Sequence, residues 1–474
     1  MTPLPPTPAV DIALIGVGAA GALVFINLVQ HSAHPRRVAL IDTAAEPALG
    51  VAYSTPHPEH LLNVRADCMG ALAGQPRHFF DWLHTPAGLA ARTALNLSIP
   101  LTENAFLPRR LYGAYLRYLY SDARQTALKK GWQLVEHRDN VTNLTPTENG
   151  HTLPLESGAT LTAVDTVLAL GNALSRPDSA ALPHVYTKPW QADIARLSAE
   201  PPAAHPVVLI GAGLTAMDML LSLQRHQWPH GIVLVSRHGA LPHGHLPDAR
   251  MVSTPLLAFE DVAGKRLSAV LQQLRRVVRA GHPWQHALDS IRPYTARLWQ
   301  SLSAKDQQRL LGKYFNLWGT HRHRLGAPPA DSINELLRSG QVQTRKAAYK
   351  KTEISAAGQL NVYLSDSDAP LYASAVFDCR GLGLSPRAHP LLARLTESGT
   401  LHAHESGAGI RPLHDFLLHQ NGASRVFGIG SMLVGAYFES IAMPELRTQA
   451  QQIAQALLGV GAAEYLDTTL DYTI

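Results

Sequence analysis

The chain begins its pattern with a short run rich in β-branched residues, Val10–Ile15, followed by a glycine-dense turn at 16–21 and a helical stretch from Ala22 to Gln30. A second apolar run, Arg37–Ile41, ends at Asp42. Strand, turn, helix and strand within about 30 residues is the pattern of one βαβ unit. A polar, proline-dotted segment follows, with a helix predicted over Arg110–Lys129 and an apolar strand over Val164–Leu170. Residues 176–206, rich in proline and alanine, read as a linker. The first pattern then restarts, with a strand to Ile210, a turn at Gly211 and Gly213, a helix to about His226 and a strand at Ile232–Val235. Residues from about 256 to 340 are helical and unlike a plain nucleotide unit. Val376–Cys379 and Val426–Ile429 read as short strands, and a last helix runs from about Pro444 to Leu458, with proline in its first turn and Gly459 past its end. The only internal repeat is the βαβ unit, at Gly16 and again at Gly211. Each copy needs its own sheet, so an alternating α/β protein with two Rossmann-like dinucleotide-binding domains is expected.

Composition narrows the class. At 474 residues, 46% hydrophobic and 16% charged, the chain is globular and too long for one ordinary core. A net charge of +5 with no long Lys/Arg run gives no reason to expect nucleic acid. Cys68 and Cys379 are the only two cysteines and stand in no CxxC pair, which excludes a thioredoxin-like redox pair and favours the reducing cytoplasm. The apolar stretch 9–29 has no preceding Lys or Arg and is interrupted by Asp11, Asn27 and three glycines. It therefore reads as strand, turn and helix rather than a targeting segment or membrane span. Hydrolase and kinase motifs are absent, as are paired cysteines for a disulfide reductase.

The chemistry lies in the two glycine turns. In Gly16-Val17-Gly18-Ala19-Ala20-Gly21 the first glycine permits the turn, the second lets backbone approach a pyrophosphate, and the third lets helix pack on strand. The helix N-terminus supplies N–H donors to phosphate. Asp42, 21 residues after Gly21, can accept from ribose hydroxyls. The second turn, Gly211-Ala212-Gly213-Leu214-Thr215-Ala216, has Arg237 at the same offset from Ala216, within Ser236-Arg237-His238. A carboxylate repels a 2′-phosphate and a guanidinium binds it. The first site therefore suits FAD and the second NADPH; the bland reading of Arg237 is a solvated surface residue. With both cofactors, NADPH delivers hydride to the flavin, and the reduced flavin acts on O2 or another acceptor.

Trp318-Gly319-Thr320-His321-Arg322-His323-Arg324 places His321, Arg322 and Arg324 where they could form an anion-binding wall for cofactor phosphate or substrate; the alternative is a basic surface over a buried Trp318. Leu241–His245 could border the same cleft. The pairs His243/His245, His321/His323 and His402/His404 lack a cysteine or carboxylate at ligand spacing, so no metal is expected.

These motifs, with Gly50-Val51-Ala52-Tyr53-Ser54, Leu61-Leu62-Asn63-Val64, Phe427-Gly428-Ile429-Gly430, Glu439 and Pro444-Glu445-Leu446, resemble the FAD/NAD(P)-binding family of the YdhS type, two-dinucleotide-domain flavoproteins. That family is more distantly similar to N-hydroxylating monooxygenases of ornithine and lysine. The resemblance implies an FAD domain (1–200 and 366–474) split by an inserted NADPH domain (201–365) that carries the helical insertion. It places Tyr53, Leu62, Asn63 and Val64 near the flavin, Asn63 as the candidate closest to the chemistry, and Gly430 to Glu439 by the pyrimidine edge. For Asn63 a loop-capping role is the equal alternative. The implied activity is a monooxygenase acting on a small polar amine with O2. A flavin reductase passing electrons to a quinone, metal or partner protein, and a non-catalytic nucleotide sensor, remain open, as do the substrate and the oligomeric state.

Overall fold

Val10, Ile12, Ala13, Leu14 and Ile15 are all sealed from solvent, so the first strand carries apolar residues on both faces, as a central parallel strand must. A computed structural model describes residues 9–97, 101–172, 182–246, 256–381 and 383–460. Its strands, numbered in chain order, are β1 (Ala9–Ile15), β2 (Arg37–Ile41), β3 (Gln133–His137), β4 (Thr145–Thr147), β5 (Gly150–Pro154), β6 (Thr160–Leu168), β7 (Val185–Tyr186), β8 (Val207–Ile210), β9 (Ile232–Ser236), β10 (Val342–Lys346), β11 (Tyr349–Ile354), β12 (Leu360–Leu364), β13 (Leu371–Ala373), β14 (Ala375–Asp378), β15 (Leu417–Asn421) and β16 (Ser424–Gly428).

The first sheet runs β15-β16-β6-β1-β2-β3, with β5 and β4 continuing antiparallel from β6. Its four inner pairings, from β16 to β3, are parallel. Arg425 clamps β16 to β6 through two hydrogen bonds to the Asp165 carboxylate, at 3.1 and 2.7 Å. Helix Ala19–His31 packs between helices Arg109–Lys129 and Met443–Leu458, so the chain's last described helix completes its first nucleotide unit. Gly459, at φ +66°, closes that last helix in the left-handed conformation glycine adopts freely.

The second sheet, β10-β9-β8-β14-β7, is wholly parallel. Val208, Ile210, Val235 and Val376 face the antiparallel meander β11-β12-β13, while Leu209 and Leu234 face Met217, Leu220 and Ile333 of the covering helices. This sheet draws β7 from before residue 201 and β14 from after residue 365. The stretch read as a linker, 176–206, contributes β7 and a short helix, Ile194–Ala199; its residues 176–181 lie outside the described residues. Parallel pairing is the reason: β14 lies beside β8, with Ala375 and Phe377 packed under the covering helices and Val376 under the meander.

The helical insertion forms small cores of its own, one around Val262, Val270, Tyr294 and Leu298. It docks on the first unit through Trp299, whose ring stacks on Phe438 at 4.8 Å and whose indole N–H donates to the Gly435 carbonyl at 2.7 Å. Phe438 has φ +64°, a strained backbone for a bulky residue, costing on the order of 1–3 kcal/mol. The aromatic clamp of Trp299, Phe315 and Trp318 holds it there.

Two predictions come from this packing. A Cβ on Gly21 would stand 2.0 Å from the Gly16 carbonyl oxygen, whereas one on Gly213 would meet nothing within 4 Å. Gly21→Ala should therefore lower the unfolding temperature sharply while Gly213→Ala leaves it unchanged; equal shifts would contradict the fold. Burial, above all, pushes His151, His245 and His323 down from 6.5 to about 4 each. Each ring is neutral when folded and binds a proton when unfolded, so stability is lost as pH falls from about 6.5 towards 4. Thermal melts between pH 7 and pH 5 should show a falling midpoint, and a flat profile would refute these assignments.

Candidate functional site

The carboxyl edge of the first sheet assembles the first nucleotide site. Gly16 leaves β1 at φ +92°, and its N–H donates to the Ile41 carbonyl at 2.8 Å. A side chain there would strike the Ala169 carbonyl oxygen at 2.2 Å. Gly18 caps helix Ala19–His31, and no acidic residue lies in that helix's first turn. Gly18, Ala19 and Ala20 are only partly buried, leaving the N-terminal N–H groups approachable. Opposite them stands Gly50 at φ +58°; a Cβ on Gly18 would lie 3.3 Å from the Gly50 Cα. Glycines thus form both walls of the cradle. Asp42 closes β2, with its Oδ2 accepting from the Val17 N–H at 2.6 Å and its Oδ1 from the Ala44 N–H at 2.8 Å.

Tyr53 rests on Tyr112 with ring centroids 4.8 Å apart, and burial pushes its hydroxyl up to about 12 against the pull of Arg109. Leu62 and Val64 are buried in the core, and Asn63, between them, is partly exposed. The Leu62 N–H is held by the Leu107 carbonyl at 2.8 Å. The Asn63 carbonyl accepts from His245 Nε2–H at 3.1 Å, so the segment touches the second nucleotide unit. Its neutral donor, His245, is set by burial first and by nearby Arg324. Gly430, at φ +83°, follows β16 and donates its N–H to Gln449 Oε1 at 3.0 Å.

The second turn repeats the first with differences. Gly211, at φ +105°, passes 2.5 Å, measured from a hypothetical Cβ, from the Cys379 carbonyl oxygen, and Gly213 caps helix Leu214–Arg225 in open space. Leu214 and Thr215 are partly buried, and Ala216 is fully buried. Strand register corrects the offset count. Ile15 pairs with Ile41 and Ile210 with Val235. Asp42 therefore answers to Ser236, and Arg237 stands one residue further, because β8 pairs with β9 from its first residue, Ile232, whereas β1 pairs with β2 from its second, Val38. The Ser236 Oγ accepts from the Gly239 N–H at 2.9 Å. Arg237 and His238 are exposed, and neither has a hydrogen-bond or ion-pair partner among the described residues. Lys346, which pairs with Ser236 across the strands, is exposed too.

The expected free basic wall is instead a set of buried ion pairs. Arg322 is 3.1 Å from Glu439, which also accepts from the Trp318 indole N–H at 3.0 Å. Arg324 is buried against Asp289. Burial would raise the Glu439 carboxyl, but Arg322, Arg292 and His323 outweigh it and hold it below its usual value. Glu439 therefore serves the docking of the insertion, and only His321, beside His243 (4.7 Å) and Trp284 (4.9 Å), remains partly open. The 241–245 loop zips along this strand-like edge, with Leu325 N–H donating to His243 O at 2.8 Å. The position of Gly50 opposite Gly18 and the seam contact of His245 with Asn63 escaped the motif reading, since only tertiary proximity reveals them.

Known proteins agree with this geometry. Residues 13–173 match a family model described as FAD-NAD(P)-binding. No curated protein sequence matches the chain. Among solved structures, the ornithine N-hydroxylase of Kutzneria sp. 744, determined with reduced FAD, NADP+ and L-ornithine, superposes with a TM-score of 0.65 at 14% identity, over 95% of this chain and 99% of that one. The ornithine hydroxylase of Pseudomonas aeruginosa gives 0.63 at 15%, over 96% and 100%. The L-lysine 6-monooxygenase of Pseudomonas syringae gives 0.60 at 17%, over 95% and 99%. No described helix is long and apolar enough to cross a membrane. Residues 13–173 thus match an FAD-NAD(P)-binding family model, and the chain as a whole shares the fold of these ornithine and lysine hydroxylases.

Proposed function

We propose that the protein is an FAD-dependent, NADPH-consuming monooxygenase of the N-hydroxylating type, acting in the cytoplasm on a small polar amine or amino-acid-like metabolite. The observation that carries this reading is the pair of glycine turns, one closed by Asp42 and one flanked by the exposed Arg237, within a fold shared almost end to end with ornithine and lysine hydroxylases. We assign residues 9–172 and 383–460 to the FAD unit and 182–381 to the NADPH unit, following sheet membership.

In this reading Gly16, Gly18, Ala19, Ala20 and Gly21 face the FAD pyrophosphate. The Asp42 carboxylate keeps lone pairs beyond its two backbone donors and accepts from ribose. Tyr53, Leu62 and Val64 fix the segment that presents the Asn63 amide to the flavin, and Gly430 with the start of helix Met443–Leu458 lies at the pyrimidine end, where a helix N-terminus favours negative charge. Gly211, Gly213, Leu214, Thr215 and Ala216 take the NADPH pyrophosphate, and Ser236, Arg237 and His238 take the 2′-phosphate. Bound flavin, reduced by NADPH, supplies the activation of O2. The chain's own task is to orient the amine and exclude water at the seam where His245 meets Asn63. Both cysteines are buried free thiols and form no disulfide, so they offer no internal group that could accept electrons from the flavin.

Two outcomes test the reading. NADPH oxidation under air should accelerate with one class of amine or amino acid, and mass spectrometry should find that compound carrying one added oxygen. Rapid oxidation that needs no amine and passes electrons to a quinone would instead mark a reductase. Arg237→Ala should raise the apparent NADPH constant by roughly 10- to 150-fold, the equivalent of about 1.5–3 kcal/mol for a charge-assisted contact, with NADH kinetics nearly flat. Equal weakening of both cofactors would return Arg237 to an ordinary surface role.

A further inference from the structure

Away from both glycine turns, the loop 57–60 meets the end of helix Leu214–Arg225. His57, Glu59 and His226 converge there, each partly buried, with one potential ligand atom apiece and all three atoms within 4.8 Å of one another. We propose that these three side chains bind a divalent transition-metal cation, with Zn2+ as the best-fitting ion, and so tie the FAD unit to the NADPH unit. The inference is independent of the proposed reaction.

The donor set fits that ion. Ligand atoms 2.0–2.2 Å from a tetrahedral centre lie about 3.4 Å apart, so a modest rotamer adjustment closes the triangle and leaves one position for water. Two imidazoles and a carboxylate suit Zn2+, Co2+ or Ni2+, whereas Mg2+ and Ca2+ require oxygen donors. The carboxylate is already oriented: Ser222 Oγ donates to Glu59 Oε1 at 2.7 Å, and the His60 ring holds Ser222 at 2.9 Å. Glu59 Oε2 is buried without a hydrogen-bond partner, the atom a cation would take. Such outer hydrogen bonds aim a metal ligand. Arg225 Nε lies 3.4 Å from Oε2, but this side chain is 56% exposed and can turn into water when a cation enters. His57 and Glu59 belong to the segment leading to Asn63, and His226 ends the helix that begins at the second glycine turn. A bound ion would therefore fix the spacing of the two nucleotide sites.

The test is equilibrium dialysis of the full-length, FAD-loaded protein against Zn2+, with bound metal counted by elemental analysis. One tight equivalent is expected. His57→Ala and His226→Ala should each weaken it roughly tenfold or more, and His282→Ala, at an exposed position on the helical insertion, should not. Zn2+ should raise the unfolding temperature of the wild type and of His282→Ala but not of the site variants. If either alanine variant misfolds, Glu59→Gln keeps the Ser222 hydrogen bond while removing the charge, and it should show the same loss. Absence of a tight equivalent in the wild type, or its retention at unchanged affinity in folded site variants with full flavin content, would overturn the proposal.

Discussion

The two nucleotide units meet across buried ion pairs, and the rest of the architecture depends on those pairs being made. On one side Arg109 is 3.1 Å from Asp218, which also accepts from the Trp190 indole N–H at 3.1 Å. On the other, Arg322 pairs with Glu439 and Arg292 with Glu445, each reaching from the helical insertion into the first unit. Taking such charges out of water costs several kcal/mol per ion, and the pairing roughly repays it, so these contacts fix position more than they add stability. Their electrostatics differ by surroundings. Burial raises the Asp218 carboxyl in spite of Arg109, whereas at Glu439 the pull led by Arg322 and Arg292 outweighs burial. The insertion side is thus the more strongly ionic of the two anchors.

Between these anchors the seam brings the Asn63 segment of the first unit against the 241–245 loop of the second. Asn63 reaches from one unit and His245 from the other, and the hydrogen bond between them needs both anchors in register. The strained Phe438 backbone belongs to the same arrangement. Its aromatic clamp turns the following Glu439 towards Trp318 and Arg322, so local strain is exchanged for a defined docking angle. The glycines show the complementary constraint. At 16 and 21 the backbone is too close to a neighbouring carbonyl for any side chain, while at 213 space is open to solvent and to a ligand.

Much of this was legible in the chain itself. Periodicity and glycine spacing place both βαβ units, because a buried parallel strand must be apolar throughout and a phosphate turn must lack side chains. The expected helices at 110–129 and 444–458 are present with ends shifted by one residue. Asp42 follows from its offset and lies against the turn. Arg237 shows the limit of counting: both second strands begin at the same offset, but a one-residue difference in pairing register makes Ser236 the counterpart of Asp42, which the sequence does not reveal.

The sequence by itself therefore determined the elements, the two phosphate turns and the charge of the residues beside them, since these depend on neighbours within one βαβ unit. Tertiary structure alone decided that strands from 185–186 and 375–378 enter the second sheet, that Arg322 and Arg324 are neutralised rather than free, and that His57 and Glu59 meet His226. Each of those outcomes joins residues from distant parts of the chain. Their pairing is set by which faces pack together and by the need to give every buried charge a partner, and neither requirement leaves a periodic mark on the sequence.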